Sequence, residues 1–212
     1  MKALSYIHPK LYQLFLLLLH RKNLIKRYTY LSREIGRNKV VFELGCGVGI
    51  LAKYLDKSCE YIGWDLNATF IKYLRKKGLN AELKDIFNFK EYPENDITVI
   101  IDVLHHVAPK ERILIQNALK TTKKLIVVEP SSPYKFGRVQ HISRFYYFYD
   151  LFLGDNDGIN PLHRRISWNF SEKDLKNYFI SLGASKIKYI GKDVVAIFHS
   201  NGKVSEIEEK RN

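Results

Sequence analysis

Glycine stands at three alternate positions, Gly45, Gly47 and Gly49, directly after the run Val40-Val41-Phe42-Glu43-Leu44. That spacing suits a turn whose backbone takes positive φ and lies against a ligand with no Cβ in between. Asp65 follows 20 residues after Gly45, at the end of the next apolar run. At that interval an acid can accept both hydroxyls of a ribose. Loop and acid together point to a nucleoside ligand.

Strands of a parallel sheet would present these residues. Short apolar runs at 40–44, 61–64, 82–84, 97–101 and 125–128 alternate with helical patterns at 50–55, 68–77 and 110–120, the signature of repeated βα units. Two further runs, 186–190 and 194–199, join at Gly191-Lys192-Asp193 as a closing antiparallel hairpin. The expected fold is α/β, a doubly wound, mostly parallel seven-stranded sheet with its ligand at the carboxyl ends of the strands. Ser171, with Asp174 three residues on and Gly183 beyond, predicts a capped helix before the hairpin. The expected organisation is a basic, partly apolar helical segment at 1–37, a main domain at 38–200 and a polar tail at 201–212. Residues 131–170 are dense in Tyr, Phe and Trp and are expected to form a helical insertion over the ligand face.

The ligand class follows from charge and spacing. A dinucleotide loop reads G-x-G-x-x-G so that a pyrophosphate can rest on the helix N-terminus, but the sixth position here is Ile50. Glu43 would repel a pyrophosphate and attract a ligand carrying an ammonium and a sulfonium. The expected cofactor is S-adenosylmethionine.

At this point residues 38–200 resemble the class I S-adenosylmethionine-dependent methyltransferases, whose acid-x-G-x-G-x-G pattern matches Glu43 to Gly49 without a gap. The resemblance implies the Rossmann-like methyltransferase fold. It places the methionine end of the cofactor at Glu43, Gly45 and Gly47, with Cys46 and Gly49 beside them, and the ribose at Asp65 and Leu66. It further implies Asp85 at the adenine amine, Ile86 on the ring, and Asp102 at the end of the fourth strand. The segment Asp102-Val103-Leu104-His105-His106 then lies beside the transferable methyl. It lacks the Asn/Asp-Pro-Pro-aromatic pattern of exocyclic-amine methylation, and its Leu-His-His string resembles small-molecule members, including those of quinone biosynthesis. If the acceptor is a hydroxyl or an acidic carbon, a base must take its proton, and imidazole titrates near neutrality. His105 and His106 are the catalytic candidates.

Composition sets the outer bounds. The chain has 212 residues, 46 % hydrophobic and 13 % aromatic, too apolar for disorder and long enough for one large or two small domains. The longest uninterrupted apolar run, 14–19, is too short to span a bilayer. No small-residue cleavage site follows it. Cys46 and Cys59 make neither a disulfide framework nor a metal set. No metal is expected, and the expected location is cytoplasmic. The net charge of +13 is concentrated in residues 1–39, which hold nine Lys/Arg and only Glu34 as an acid. This segment could contact nucleic acid or an anionic membrane surface, or be a solvated helical flap. The leading reading is methyl transfer to a hydrophobic or aromatic small molecule. The alternatives are an RNA methyltransferase and a non-catalytic cofactor-binding subunit.

Overall fold

The computed structural model describes residues 6–20, 22–131 and 168–200. All but the ends of the expected insertion, and the tail 201–212, lie outside them.

Two helices, α1 (Pro9–His20) and α2 (Lys22–Ile35), precede β1 (Val40–Leu44). Then come β2 (Glu60–Asp65), α3 (Ala68–Lys76), β3 (Ala81–Leu83), β4 (Ile97–Ile101), α4 (Leu104–Val107), α5 (Glu111–Thr121) and β5 (Lys124–Pro130). After the undescribed stretch follow α6 (Glu172–Ser181), β6 (Lys186–Ile190) and β7 (Asp193–His199). The seven strands lie in the order β3-β2-β1-β4-β5-β7-β6, parallel up to β5 and antiparallel at β7 and β6. This is the expected doubly wound sheet with its closing hairpin.

Both faces of the sheet are covered, as a mainly parallel sheet requires. Side chains alternate between two cores. Ile100, Leu125, Val127, Val194 and Ala196 meet Leu114 of α5 and Phe179 of α6 on one side. Val99, Ile126, Val128 and Val195 meet Leu24, Tyr28 and Leu31 of α2 on the other. The basic N-terminal segment is therefore anchored to the sheet by α2. Its Leu24, Tyr28, Leu31 and Ile35 recur at helical spacing on the buried stripe.

The helix expected at 50–55 is only a 3₁₀ turn, Leu51–Lys53. The Asp56 side chain accepts from the Ser58 amide and hydroxyl at 3.0 and 2.8 Å, and this turn chemistry keeps the segment from continuing as a helix. The third strand sits one residue earlier than expected because Ala81 pairs with Gly63. The helix before the hairpin has its Ser171/Asp174 capping box, and Gly183 beyond its end takes φ 92°. Among the described residues no helix is long and apolar enough to cross a membrane.

Candidate active site

The strand order reverses between β1 and β4, which opens a crevice at their carboxyl ends. Gly45 leaves β1 with φ 72°, and its amide and that of Cys46 both donate to the Trp64 carbonyl at 2.8 and 2.9 Å. Gly47, at φ 51°, donates its amide to Asp65 Oδ2 at 2.8 Å, while the Asn67 amide donates to Oδ1 at 2.7 Å. Two backbone amides thus aim the Asp65 carboxylate at the crevice. A Cβ at Gly47 would meet nothing nearer than Tyr12 Cε1 at 3.8 Å. The loop is bare on this side, with the Tyr12 ring at van der Waals distance from that position, and a space opens beside the two.

That space is a cavity of about 320 Å³. Of the residues expected from the sequence, Gly45, Gly47, Asp65, Leu66, Asp85, Ile86, Asp102 and His106 line it. Glu43, Cys46, Gly49 and His105 do not. The sequence reading did not place Tyr6, Tyr12 and Phe70 in the wall. Their rings pack at 5.0 Å between Tyr6 and Tyr12 and 5.1 Å between Tyr12 and Phe70, and the Asn67 side chain donates to the Tyr6 carbonyl at 3.0 Å. The N-terminal segment therefore roofs the crevice. Lys110 also lines it and lies 5.8 Å from the Phe87 ring centre.

Glu43 corrects the charge argument drawn from the sequence. It is 3 % exposed and accepts from the Tyr61 hydroxyl at 2.5 Å. Burial, reinforced by the Asp65 charge, pushes its carboxyl up to about 8 against the pull of the Tyr61 hydrogen bond. At neutral pH the group is mainly protonated, so it offers a polar floor more than a full negative charge. Burial also holds the Cys46 thiol and the Tyr61 phenol well above their ordinary ranges. Cys46 is consequently a packing residue of the loop and supplies no thiolate.

Two buried networks hold the strand ends beside the cavity. Arg27, fully buried on α2, donates to Asp102 Oδ1 and Oδ2 at 3.1 and 2.9 Å and to Asp193 Oδ2 at 3.2 Å. Burial works against its charge, but Asp102 and Asp193 outweigh it and raise its affinity for the proton. Burial leads the opposite effect on Asp193, whose carboxyl rises to about 6. Asp102 is a non-glycine residue at φ 55°, a conformation that carries a steric cost and persists where surrounding contacts impose it. Glu129, also fully buried, accepts from the Val103 and Leu104 amides through Oε1 at 2.6 and 2.5 Å. Its Oε2 is 2.7 Å from His105 Nδ1. With Oε1 already accepting two amides, this contact suits a proton on Nδ1 donated to Oε2 and orients the ring. The rings of His105 and His106 lie 4.3 Å apart, tilted by 38°.

Both networks have signals in the amino-acid sequence. Arg27 shares the helical stripe of Leu24, Tyr28 and Leu31, where a solvated base would not sit, and Glu129 extends an otherwise apolar central strand. Counting Arg27 among exposed bases is corrected by its burial.

Residues 42–124 match the family described as a methyltransferase domain. A trans-aconitate 2-methyltransferase of Mycobacterium ulcerans (strain Agy99) is 30 % identical over 83 residues, which is 38 % of this chain and 32 % of that protein. A putative methyltransferase of Invertebrate iridescent virus 6 is 30 % identical over 102 residues, 45 % of this chain and 38 % of that one. The chain thus aligns with about a third of the length of these curated relatives. Magnesium protoporphyrin IX methyltransferase from Synechocystis PCC 6803, solved with S-adenosylhomocysteine, superposes with a TM-score of 0.58 at 16 % identity over 87 % of this chain and 85 % of that one. An rRNA methylase from Escherichia coli superposes at 0.54 and 16 % identity over 86 % and 65 %. These two likenesses establish the fold.

Proposed function

We propose that the protein, whose residues 42–124 match a methyltransferase-domain family, transfers a methyl group from S-adenosylmethionine to a hydrophobic or aromatic small molecule. The observation that carries this reading is the cavity at the strand ends. Its walls include Tyr6, Tyr12, Phe70, Ile101 and Val107, and its carboxylates are confined to the edge where Asp65, Asp85 and Asp102 leave their strands. Small-molecule sites have this character, mostly apolar with a few convergent polar groups. Among the described lining residues Lys110 is the one Lys or Arg, which gives a polyanion little to grip. The similarity to a relative named for a small-molecule acceptor points the same way.

The residues fit the cofactor. Asp65, aimed by two amides, would accept from the ribose hydroxyls, Asp85 would meet the adenine amine, and Ile86 would pack on the ring. Gly45 and Gly47 leave a bare loop for the methionine end, with Glu43 as the polar floor behind it. When bound, the cofactor supplies an electrophilic methyl carbon on a sulfonium leaving group. The chain contributes orientation, which can account for much of the acceleration of such a displacement. His106, in the cavity wall, accepts the acceptor's proton. His105, held by Glu129, packs against His106 and sets its place.

Calorimetry with S-adenosylmethionine, followed by transfer of labelled methyl to a panel of lipid-soluble, phenolic and RNA acceptors, tests the proposal. Binding together with label in the organic-extractable fraction supports it. Label in RNA alone overturns the acceptor class, and absence of cofactor binding overturns the reading altogether. Cofactor binding with no acceptor methylated favours a non-catalytic partner subunit.

A further inference from the structure

α1 is fastened by one face only. Tyr12 enters the cavity wall, Gln13 donates to the Tyr73 hydroxyl at 3.1 Å, and Leu16 packs on the core. On the other face Leu11, Leu14 and Leu18, spaced by three and four residues, are 52 %, 52 % and 63 % exposed. Ile7, Leu17 and Ile25 beside them are about half exposed as well. Isolated apolar side chains on a surface need no explanation, but six on one short helix and its flanks form a patch that does. Exposed Lys10, Lys22 and Lys26 border it, and no acid precedes Glu34 in the sequence.

We propose that this outer face of α1, with the start of α2, docks on an anionic lipid bilayer. Aliphatic side chains rimmed by lysines and free of acids match a helix lying in the interfacial plane, its apolar face among acyl chains and its bases at the headgroups. The two other obvious occupants match less well. A second copy meeting this patch across a twofold axis would bring the same lysines toward each other. Single-stranded RNA is held by aromatic side chains on which bases stack, and the apolar residues described as exposed on this face, Ile7, Leu11, Leu14, Leu17, Leu18 and Ile25, are aliphatic. Docking leaves the inner contacts of α1 intact, so the cavity wall stays in place on the membrane. If methyl transfer is as proposed above, a lipid-soluble acceptor reaches the cavity beside α1 without crossing bulk water. That consequence rests on the methyl-transfer reading, whereas the docking surface does not.

The test is flotation of the full chain with vesicles of phosphatidylcholine alone and of phosphatidylcholine mixed with phosphatidylglycerol. The wild type is expected to float with the anionic vesicles and to be released by high salt. A Leu11→Ser/Leu14→Ser/Leu18→Ser variant and a Lys10→Gln/Lys22→Gln/Lys26→Gln variant should each partition at least about tenfold less. Unchanged thermal unfolding and cofactor affinity would show that both variants are folded. Failure of the wild type to float overturns the proposal, as does undiminished flotation of the leucine variant, which would mean that charge alone clings to the surface. A wild-type dimer in light scattering that the leucine variant dissociates overturns it in favour of a second copy. RNA that displaces the protein from vesicles at physiological salt overturns it in favour of nucleic acid. Cofactor binding is read separately by calorimetry, so loss of that reading and loss of this one are distinguishable.

Discussion

Arg27 on the second helix and Asp102 at the end of the fourth strand, 75 residues apart in sequence, form a two-pronged ion pair of 2.9 and 3.1 Å beside the cavity. The pair joins the layer that carries the roof to the strand end that carries part of the floor. Its geometry needs the planar fork of a guanidinium, which an ammonium does not reproduce.

Arg27→Met should therefore destabilise the protein by about 3–5 kcal/mol, because the buried Asp193 and the partly buried Asp102 lose their counter-charge. Arg27→Lys should recover only part of that loss. Urea unfolding monitored by circular dichroism checks both. A neutral effect of Arg27→Met would mean that α2 is held by its apolar stripe alone.

The Glu43 carboxyl gives a pH dependence with a definite sign. Its folded value of about 8 lies above its ordinary 4.5, so the folded state holds a proton that the unfolded chain releases. The stability it contributes is complete below about 4.5 and is lost as pH rises through about 8. Relative to Glu43→Gln, which cannot ionise, the wild type should lose Tm across that window. The shift should be roughly 2–4 °C for each kcal/mol of linked stability. Parallel Tm profiles for the two proteins would remove Glu43 from the ionisation.

Gly45 and Gly47 should fail in different ways on substitution. A Cβ at Gly45 overlaps the Val103 side chain in addition to sitting at positive φ, whereas one at Gly47 meets only the φ strain. Gly47→Ala should cost about 1–2 kcal/mol of stability, and Gly45→Ala should cost more. Gly47→Val, by filling the space beneath Tyr12, should abolish cofactor binding while the fold survives. Calorimetry beside thermal unfolding separates the two readouts.

For the histidines, His106→Gln should slow turnover by roughly 10²–10⁴-fold with little change in cofactor affinity, as loss of a general base does. His105→Gln and Glu129→Gln should show smaller losses, and the Glu129 variant should also lose stability because the Val103 and Leu104 amides then share a weaker acceptor. The wild-type rate should rise with pH as the imidazole becomes neutral, and that limb should vanish in His106→Gln. Near wild-type turnover in both histidine variants would assign catalysis to positioning alone.

The parts of the molecule legible in its sequence are those with local causes. The strand-loop-helix chemistry around Gly45 and Asp65, the alternation of strands and helices, and the capping box at Ser171 all depend on near neighbours. The cavity roof was not legible, because Tyr6 and Tyr12 meet Phe70 only after α1 folds back over α3. Arg27 was hidden by its composition, since a base inside a basic segment reads as surface until its position on the helical stripe is noticed. Glu43 was visible as a residue but not as an ionisation state, which depends on how deeply β1 lies in the sheet and on its contact with Tyr61.

The placement of β7 between β5 and β6 has a consequence for how the chain folds. β7 is the last of the described strands in sequence, yet it occupies an interior slot, so the parallel half of the sheet can form before it arrives. Until then β5 presents Leu125, Ile126, Val127 and Val128 along an open edge, ready to pair with any extended chain. A half-built molecule is thus adhesive toward its own kind. Refolding yield should fall as protein concentration rises while the rate of the productive phase stays constant, and a peptide with the sequence of β7 should compete for the vacant slot.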